Sequence, residues 1–147
     1  MSWLSRFAER ERQQKQQKLE QVLTGRESLD ASQLWARYFR QDDIAPDTVA
    51  KIRQIFSEIL GVDLSRIRDT DDFSKELAFF WDFDSMADVE LIQALEQQFG
   101  ITITDAEAEA MKTLKDIVLT VHAKIAKQIR LTRPLQRTAD GAFCLRL

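Results

Sequence analysis

The stretch between Asp47 and Gly61 carries apolar side chains at the spacing of an α-helix. Successive apolar positions are three, three, one, three and one residues apart: Val49, Ile52, Ile55, Phe56, Ile59 and Leu60. This spacing places them on one face of a helix, and such a face usually packs against a core. Gly61 follows directly and is a typical helix stop. The stretch therefore predicts one core helix of a helical domain.

The composition extends this prediction to the whole chain. Only 4 glycines and 2 prolines occur in 147 residues, which disfavours β folds with many tight turns. No segment alternates convincingly between apolar and polar residues, and the length suits one modest domain with extensions. We therefore expect an all-α helical bundle. No long apolar run or secretory signal is apparent, so a cytoplasmic location is the default expectation.

Other helices are predicted on both sides of this one. Residues 1–24 form an amphipathic pattern whose polar middle turns should be solvated, and a second short helix should be capped by Ser28 or Asp30. After a long connection, a helix is predicted from about Ser85 to Phe99, a short one over residues 105–110, and a last one after Thr113. The core face expected for the helix from Ser85 comprises Met86, Val89, Ile92, Leu95 and Phe99. We divide the chain into an extension (1–45), a domain (46–126) and a basic tail (127–147).

The charge distribution separates these regions. Residues 46–122 have a net charge of −9, whereas residues 1–45 carry +1 and residues 123–147 carry +5. An acidic centre favours basic protein partners and argues against nucleic-acid binding. Within it, Asp71 and Asp72 are expected to be solvated charges on a loop. The sequence has no spaced cluster of metal ligands and no catalytic constellation around His122 or Cys144, so we expect neither a metal site nor catalytic residues.

Asp84-Ser85-Met86 begins the acidic helix. A serine hydroxyl at the first turn of a helix can carry a phosphodiester, because the free N–H groups and the positive dipole end favour an anion there. The alternative is that Ser85 only caps the helix.

The order of motifs around this tripeptide resembles the acyl carrier protein family. Leu60-Gly61-Val62, a long loop, Asp84-Ser85-Met86 and then Val89-Glu90-Leu91 follow one another as in that family, and the match continues to about Val121. The resemblance implies a four-helix bundle, here with an added N-terminal helical extension. It also implies 4′-phosphopantetheine attached to Ser85, where acyl groups would be held as thioesters in fatty acid, polyketide or lipid biosynthesis.

The same resemblance implies partners and a recognition surface. The partners would be a phosphopantetheinyl transferase and acyl-loading and acyl-transfer enzymes with basic docking patches, and the chain itself would not be an enzyme. The residues expected to meet those partners are Asp84, Met86, Asp88, Glu90 and Glu96.

The chain departs from the family pattern just before Ser85. Residues 78–83, which read Ala-Phe-Phe-Trp-Asp-Phe, exceed a typical carrier by about four residues. These aromatics can add to the core or cover the N-terminal extension, or they can modify the partner surface or cover an acyl chain. A further alternative is that the insertion blocks the transferase and leaves an unmodified adaptor. Such an adaptor can also contact a membrane surface through Trp3, Leu4 and Phe7 in the N-terminal helix.

Overall fold

The computed structural model describes residues 3–83, 86–132, 136–137 and 143–144. Within these ranges the fold is almost entirely helical, as expected. The helices are α1 (Trp3–Val22), α2 (Ala31–Tyr38), α3 (Pro46–Leu60), α4 (Phe80–Phe83), α5 (Ala87–Phe99), α6 (Asp105–Ala110) and α7 (Leu114–Thr132). A short 3-10 turn, Arg40–Asp42, follows α2. None of the helices in the described ranges combines the length and apolar character needed to cross a bilayer.

Helix α3 occupies the centre of the bundle. It begins with Pro46 in its first turn and ends at Gly61, whose φ of 69° is the left-handed conformation that glycine adopts without strain. It packs against α2, α5 and α7. Its buried residues are Val49, Ile52, Phe56 and Leu60, so the predicted core stripe is confirmed.

The N-terminal extension joins the same core as the rest of the chain. Leu19 and Leu23, near the end of α1, are fully buried in the shared hydrophobic cluster. Asp30 caps α2 and forms a reciprocal capping box with Gln33. The end of α1 and helix α2 are therefore packed against the rest of the domain.

The middle turns of α1 are less solvated than expected. The side-chain oxygen of Gln16 accepts a hydrogen bond from the backbone N–H of Asp63 at 2.8 Å. The side chain of Arg12 lies against Gly61: a Cβ atom on this glycine would be only 3.3 Å from the Cγ of Arg12. A polar helical stretch can pack on a domain when its side chains form hydrogen bonds with polar or backbone groups there. The spacing of apolar residues does not predict such contacts.

The long connection before α4 is anchored by Leu64, Ile67, Phe73 and Leu77, all of which are buried. The expectation that Asp71 and Asp72 are solvated is wrong. Asp71 is 1% exposed, and its carboxylate accepts hydrogen bonds from Arg26 and from the backbone N–H of Arg68. Asp72 accepts from the backbone and hydroxyl of Ser74. Both carboxylates can be buried because these donors replace water.

The core face of α5 also differs from the expected one. The buried residues of this helix are Ala87, Leu91 and Leu95, whereas Val89 is 42% and Met86 57% exposed. Ala87, Leu91 and Leu95 are spaced four residues apart and therefore lie along one side of the helix. Helices α3, α4 and α7 pack against α5. The apolar spacing predicted the helix correctly, but the buried face of the helix is rotated relative to the predicted one.

The end of the chain follows the last helix. The Thr113 hydroxyl accepts a hydrogen bond from the backbone N–H of Asp116 at 3.1 Å, as expected for a capping residue. Helix α7 continues past residue 126 to Thr132. Beyond it, two strands of two residues each, β1 (Gln136–Arg137) and β2 (Phe143–Cys144), pair antiparallel, although no strand was expected. This small pair leaves the all-α class unchanged.

Candidate functional site

The site suggested by the sequence lies at the start of α5. The helix begins at Ala87, two residues later than expected, and its N-cap residue Met86 makes no side-chain capping bond. Asp84 and Ser85 lie outside the residues that the structure describes. In the sequence they occupy the two positions between the end of α4 and Met86. The first N–H groups of a helix have no intrahelical partner, so this end remains a favourable place for an anion.

The residues that follow form an exposed surface of apolar and acidic side chains. Met86, Asp88, Val89 and Glu90 are all exposed. The Asp88 carboxylate accepts a hydrogen bond from the backbone N–H of Val89 at 2.8 Å and remains accessible. An exposed surface of this composition can meet basic groups through its carboxylates and apolar groups through Met86 and Val89.

Glu96 has a different environment from the other acids. It is half-buried, and its carboxylate accepts a hydrogen bond from the backbone N–H of Ile103 at 2.9 Å. Its backbone carbonyl accepts from Gly100 and Ile101 at the end of the helix. Glu96 therefore fixes the connection between α5 and α6. The sequence did not reveal this contact, because it depends on how the chain turns after Gly100.

A groove of about 600 Å³ runs beside the exposed start of α5 and reaches α6 and the beginning of α7. Its apolar walls include Phe73, Trp81, Val89, Ile92, Ile103 and Met111. Charged side chains, among them Asp88, Glu109 and Lys112, also line it. Such a concave, mostly apolar surface with a few polar groups is typical of a small-molecule site. No sequence motif predicts this groove, because its walls come from several separate segments.

The aromatic insertion contributes to this groove and to the core. Phe80 is buried, and its ring lies 4.4 Å from that of Phe79. The indole N–H of Trp81 donates to the carbonyl of Phe73 at 2.9 Å, which fixes Trp81 in the groove wall. Phe80 therefore supports the expectation that these aromatics add to the core, and Trp81 forms part of the groove wall.

The insertion also contacts the N-terminal extension. The Lys18 ammonium lies 6.0 Å from the ring centroid of Phe79 and 5.6 Å from that of Phe83, within the range of cation–π contacts. Helix α4 packs against both α1 and α5. The insertion therefore links the extension to the start of α5, as expected if the aromatics cover the N-terminal extension.

Comparison with known proteins identifies the family to which the chain belongs. Residues 50–121 match a family model described as a phosphopantetheine attachment site. An acyl carrier protein of Thermosynechococcus vestitus is 35% identical over 80 residues, which are 54% of this chain and 94% of that protein. One from Trieres chinensis is 37% identical over 84 residues (57% and 100%), and one from Helicobacter hepaticus 38% over 77 residues (52% and 96%). The chain therefore belongs to the acyl carrier protein family, whose members carry acyl intermediates on covalently attached 4′-phosphopantetheine.

Proposed function

We propose that Ser85 is the residue to which 4′-phosphopantetheine is attached. The observation that supports this most directly is the match to the phosphopantetheine attachment family over residues 50–121, which includes Asp84-Ser85-Met86. The carrier unit in this proposal comprises residues 46–126, with residues 1–45 as an extension and residues 127–147 as a basic tail.

The residues around Ser85 fit such a group. In the sequence Ser85 comes just before α5, and the positive dipole end of that helix favours the negative charge of a phosphodiester. The groove beside Val89 offers apolar walls to a chain held nearby. The group itself supplies a thiol on a flexible arm, which holds the acyl intermediate as a thioester. The protein anchors the arm, orients its exit from the fold and presents a recognition surface.

The recognition surface in this proposal is the exposed start of α5. Met86, Asp88 and Glu90, together with Asp84, would contact a phosphopantetheinyl transferase and the acyl-loading and acyl-transfer enzymes. Exposed carboxylates attract basic docking patches and speed encounter, and the neighbouring apolar side chains add contact area. Glu96 contributes its charge from a half-buried position, so removing that charge should also weaken the connection to α6.

The chain catalyses no step in this proposal. The transferase forms the phosphodiester, and partner enzymes load, modify and remove the acyl group. The side chains of this protein bind and orient. An unmodified adaptor remains the second candidate, because Phe83, two residues before Ser85, is held by Lys18 of the extension.

Intact-mass measurement distinguishes the two candidates. After co-expression with a broad-specificity phosphopantetheinyl transferase, we expect a mass gain of about 340 Da, that of the cofactor arm. Ser85→Ala should abolish the gain, whereas Ser28→Ala, at an exposed serine of the extension, should retain it. A folded protein that gains no mass with several transferases would instead support the adaptor.

A further inference from the structure

Large apolar side chains are exposed at two places that carry opposite charge. Among the described residues, the exposed large hydrophobics are Trp3, Leu4, Phe7, Met86, Val89 and Ile129. The first three lie at the beginning of α1, which we call the N-terminal tip (residues 3–10). Met86 and Val89 lie at the exposed start of α5. Ile129 lies apart from both groups on α7.

The N-terminal tip extends beyond the packed part of the chain. Every residue from Trp3 to Arg10 is exposed, whereas the side chain of Arg12, just beyond the tip, lies against Gly61. With a rise of about 1.5 Å per residue, the eight residues of the tip span roughly 12 Å. The rings of Trp3 and Phe7 stack on each other with centroids 6.0 Å apart. The tip is therefore an accessible helical surface with two aromatic side chains.

One face of the tip combines aromatic and basic groups. Trp3, Arg6, Phe7 and Arg10 follow one another at steps of three, one and three, which puts them on the same side of the helix. The start of α5 has the complementary composition. Met86, Val89 and Glu90 share one face at steps of three and one, and Asp88 is exposed beside them. Both surfaces thus offer apolar contact, and their charges attract.

We propose that the N-terminal tip of one copy of this chain docks on the start of α5 of a second copy. A second copy fits the tip because its start of α5 presents the exposed carboxylates of Asp88 and Glu90 beside the exposed side chains of Met86 and Val89. The acidic surface that the tip requires is present on every copy.

The size of the tip indicates a weak, reversible association. Trp3, Leu4 and Phe7 are 74%, 69% and 54% exposed. With about 150–250 Å² per large aromatic side chain, the tip offers roughly 400–500 Å² of apolar surface. If two copies exchange tips reciprocally, the tips alone contribute about 800–1,000 Å², below the usual range of stable interfaces. The association should therefore depend on concentration and on salt.

The docked tip would cover the face that we assign to partner enzymes, so self-association would compete with partner binding. The inference shares that surface with the proposed function but does not depend on it. Self-association can be measured on the unmodified chain without any enzyme, and its failure would leave the attachment of the cofactor at Ser85 untouched.

Analytical ultracentrifugation of the full chain over a wide concentration range tests the proposal. We expect reversible association in low salt. Trp3→Ala/Phe7→Ala should weaken it at least about tenfold, which corresponds to ~1.4 kcal/mol. Arg6→Glu/Arg10→Glu should do the same, whereas the matched charge reversal Arg40→Glu/Arg66→Glu, at exposed arginines elsewhere, should not. Circular dichroism would confirm that each variant keeps its helical content.

A complementary charge swap identifies the second surface. Asp88→Arg/Glu90→Arg should also fail to self-associate, because its basic tip then meets a basic helix start. Mixing this variant with Arg6→Glu/Arg10→Glu should restore association between the two. The proposal is overturned if the chain stays monomeric, if tip variants associate as before, or if the mixture does not associate. Tip-dependent cosedimentation with anionic vesicles, without self-association, would overturn it in favour of a bilayer.

Discussion

Arg26 donates two hydrogen bonds from one guanidinium nitrogen to the Asp71 carboxylate, at 2.6 and 2.8 Å. The two residues are 45 positions apart in the sequence. The carboxylate also accepts from the backbone N–H of Arg68 at 2.6 Å. This ion pair connects the N-terminal extension to the long connection before α4, and it neutralises a charge that is removed from water.

Removing Arg26 should destabilise the protein markedly. Arg26→Ala leaves the Asp71 carboxylate buried without its cation, and breaking a buried pair in this way costs about 3–5 kcal/mol. Since the Arg26 side chain is 22% exposed, we expect about 2–4 kcal/mol, measured by urea unfolding. The control is Arg37→Ala, which breaks the exposed pair with Glu27 and should cost no more than about 0.5 kcal/mol. If the two changes lower the free energy of unfolding equally, the buried ion pair with Asp71 stabilises the fold no more than the exposed pair does.

The rotated core face of α5 makes the neighbouring apolar residues Leu91 and Val89 unequal in burial. Leu91→Ala removes a fully buried side chain and should cost about 2–5 kcal/mol through lost burial and the cavity that remains. Val89→Ala removes an exposed side chain and should cost less than about 1 kcal/mol. Thermal and urea unfolding of both variants measure the difference. The face predicted from the apolar spacing would instead require Val89 to be the costlier position.

The ion pair between Lys124 and Glu107 should make stability sensitive to acid. The Lys124 ammonium at 2.7 Å, with hydrogen bonds from Thr104, lowers the pKa of Glu107 from 4.5 to about 2. Because the pKa is lower in the folded state, this stabilisation is complete above pH 4.5 and is lost as the pH falls toward about 2.

The comparison that isolates this contribution is between the natural chain and Lys124→Met. Urea unfolding at several pH values in that window should give a steeper loss of stability for the natural chain, since other carboxylates titrate in both proteins. Parallel curves would mean that Lys124 does not set the protonation of Glu107.

Trp81 and Phe80 should have separable roles. Phe80→Ala empties a core position and should cost about 3–5 kcal/mol. Trp81→Phe keeps an aromatic ring but loses the hydrogen bond to Phe73, at a cost of about 0.5–1.5 kcal/mol. If the groove covers an acyl chain held from Ser85, the Trp81 variant should expose the thioester to hydroxylamine more than the natural protein does.

The readout is the rate of thioester cleavage by hydroxylamine in the acyl-loaded protein, compared at equal folded fraction. If the cleavage rate is unchanged in both Trp81→Phe and the more severe Trp81→Ala, Trp81 does not shield the thioester and has only a structural role. The control is Trp35→Phe, which also loses one indole hydrogen bond, to the carbonyl of Ile44, but lies outside the groove.

Elements of this fold that depend on local signals could be predicted from the sequence. Gly61 and Gly100 end helices because each adopts a left-handed conformation there, and Thr104 begins α6 through a capping box with Glu107. Features that depend on distant partners could not. The burial of Asp71 follows from Arg26, and no periodicity connects two residues so far apart.

The same distinction applies to the candidate site. The exposure of Asp88 and Glu90 could be expected from an acidic helix face, and Asp84-Ser85-Met86 was visible as a motif. The bond from Ile103 to Glu96 and the place of Trp81 in the groove wall arise only when separate segments meet. Met86 and Val89 were expected in the core, because apolar spacing does not report which side of a helix its neighbours occupy.

The buried positions of Leu19 and Leu23 have a consequence for modular exchange. The family match covers residues 50–121, and a chimera cut at those limits would be transplanted without the two leucines that close its interior. Such a graft would expose part of its core to water and would leave the Asp71 carboxylate without its partner Arg26. The segment that can be moved as a unit between biosynthetic assemblies therefore begins no later than the second half of α1, well before residue 50, where the family match begins.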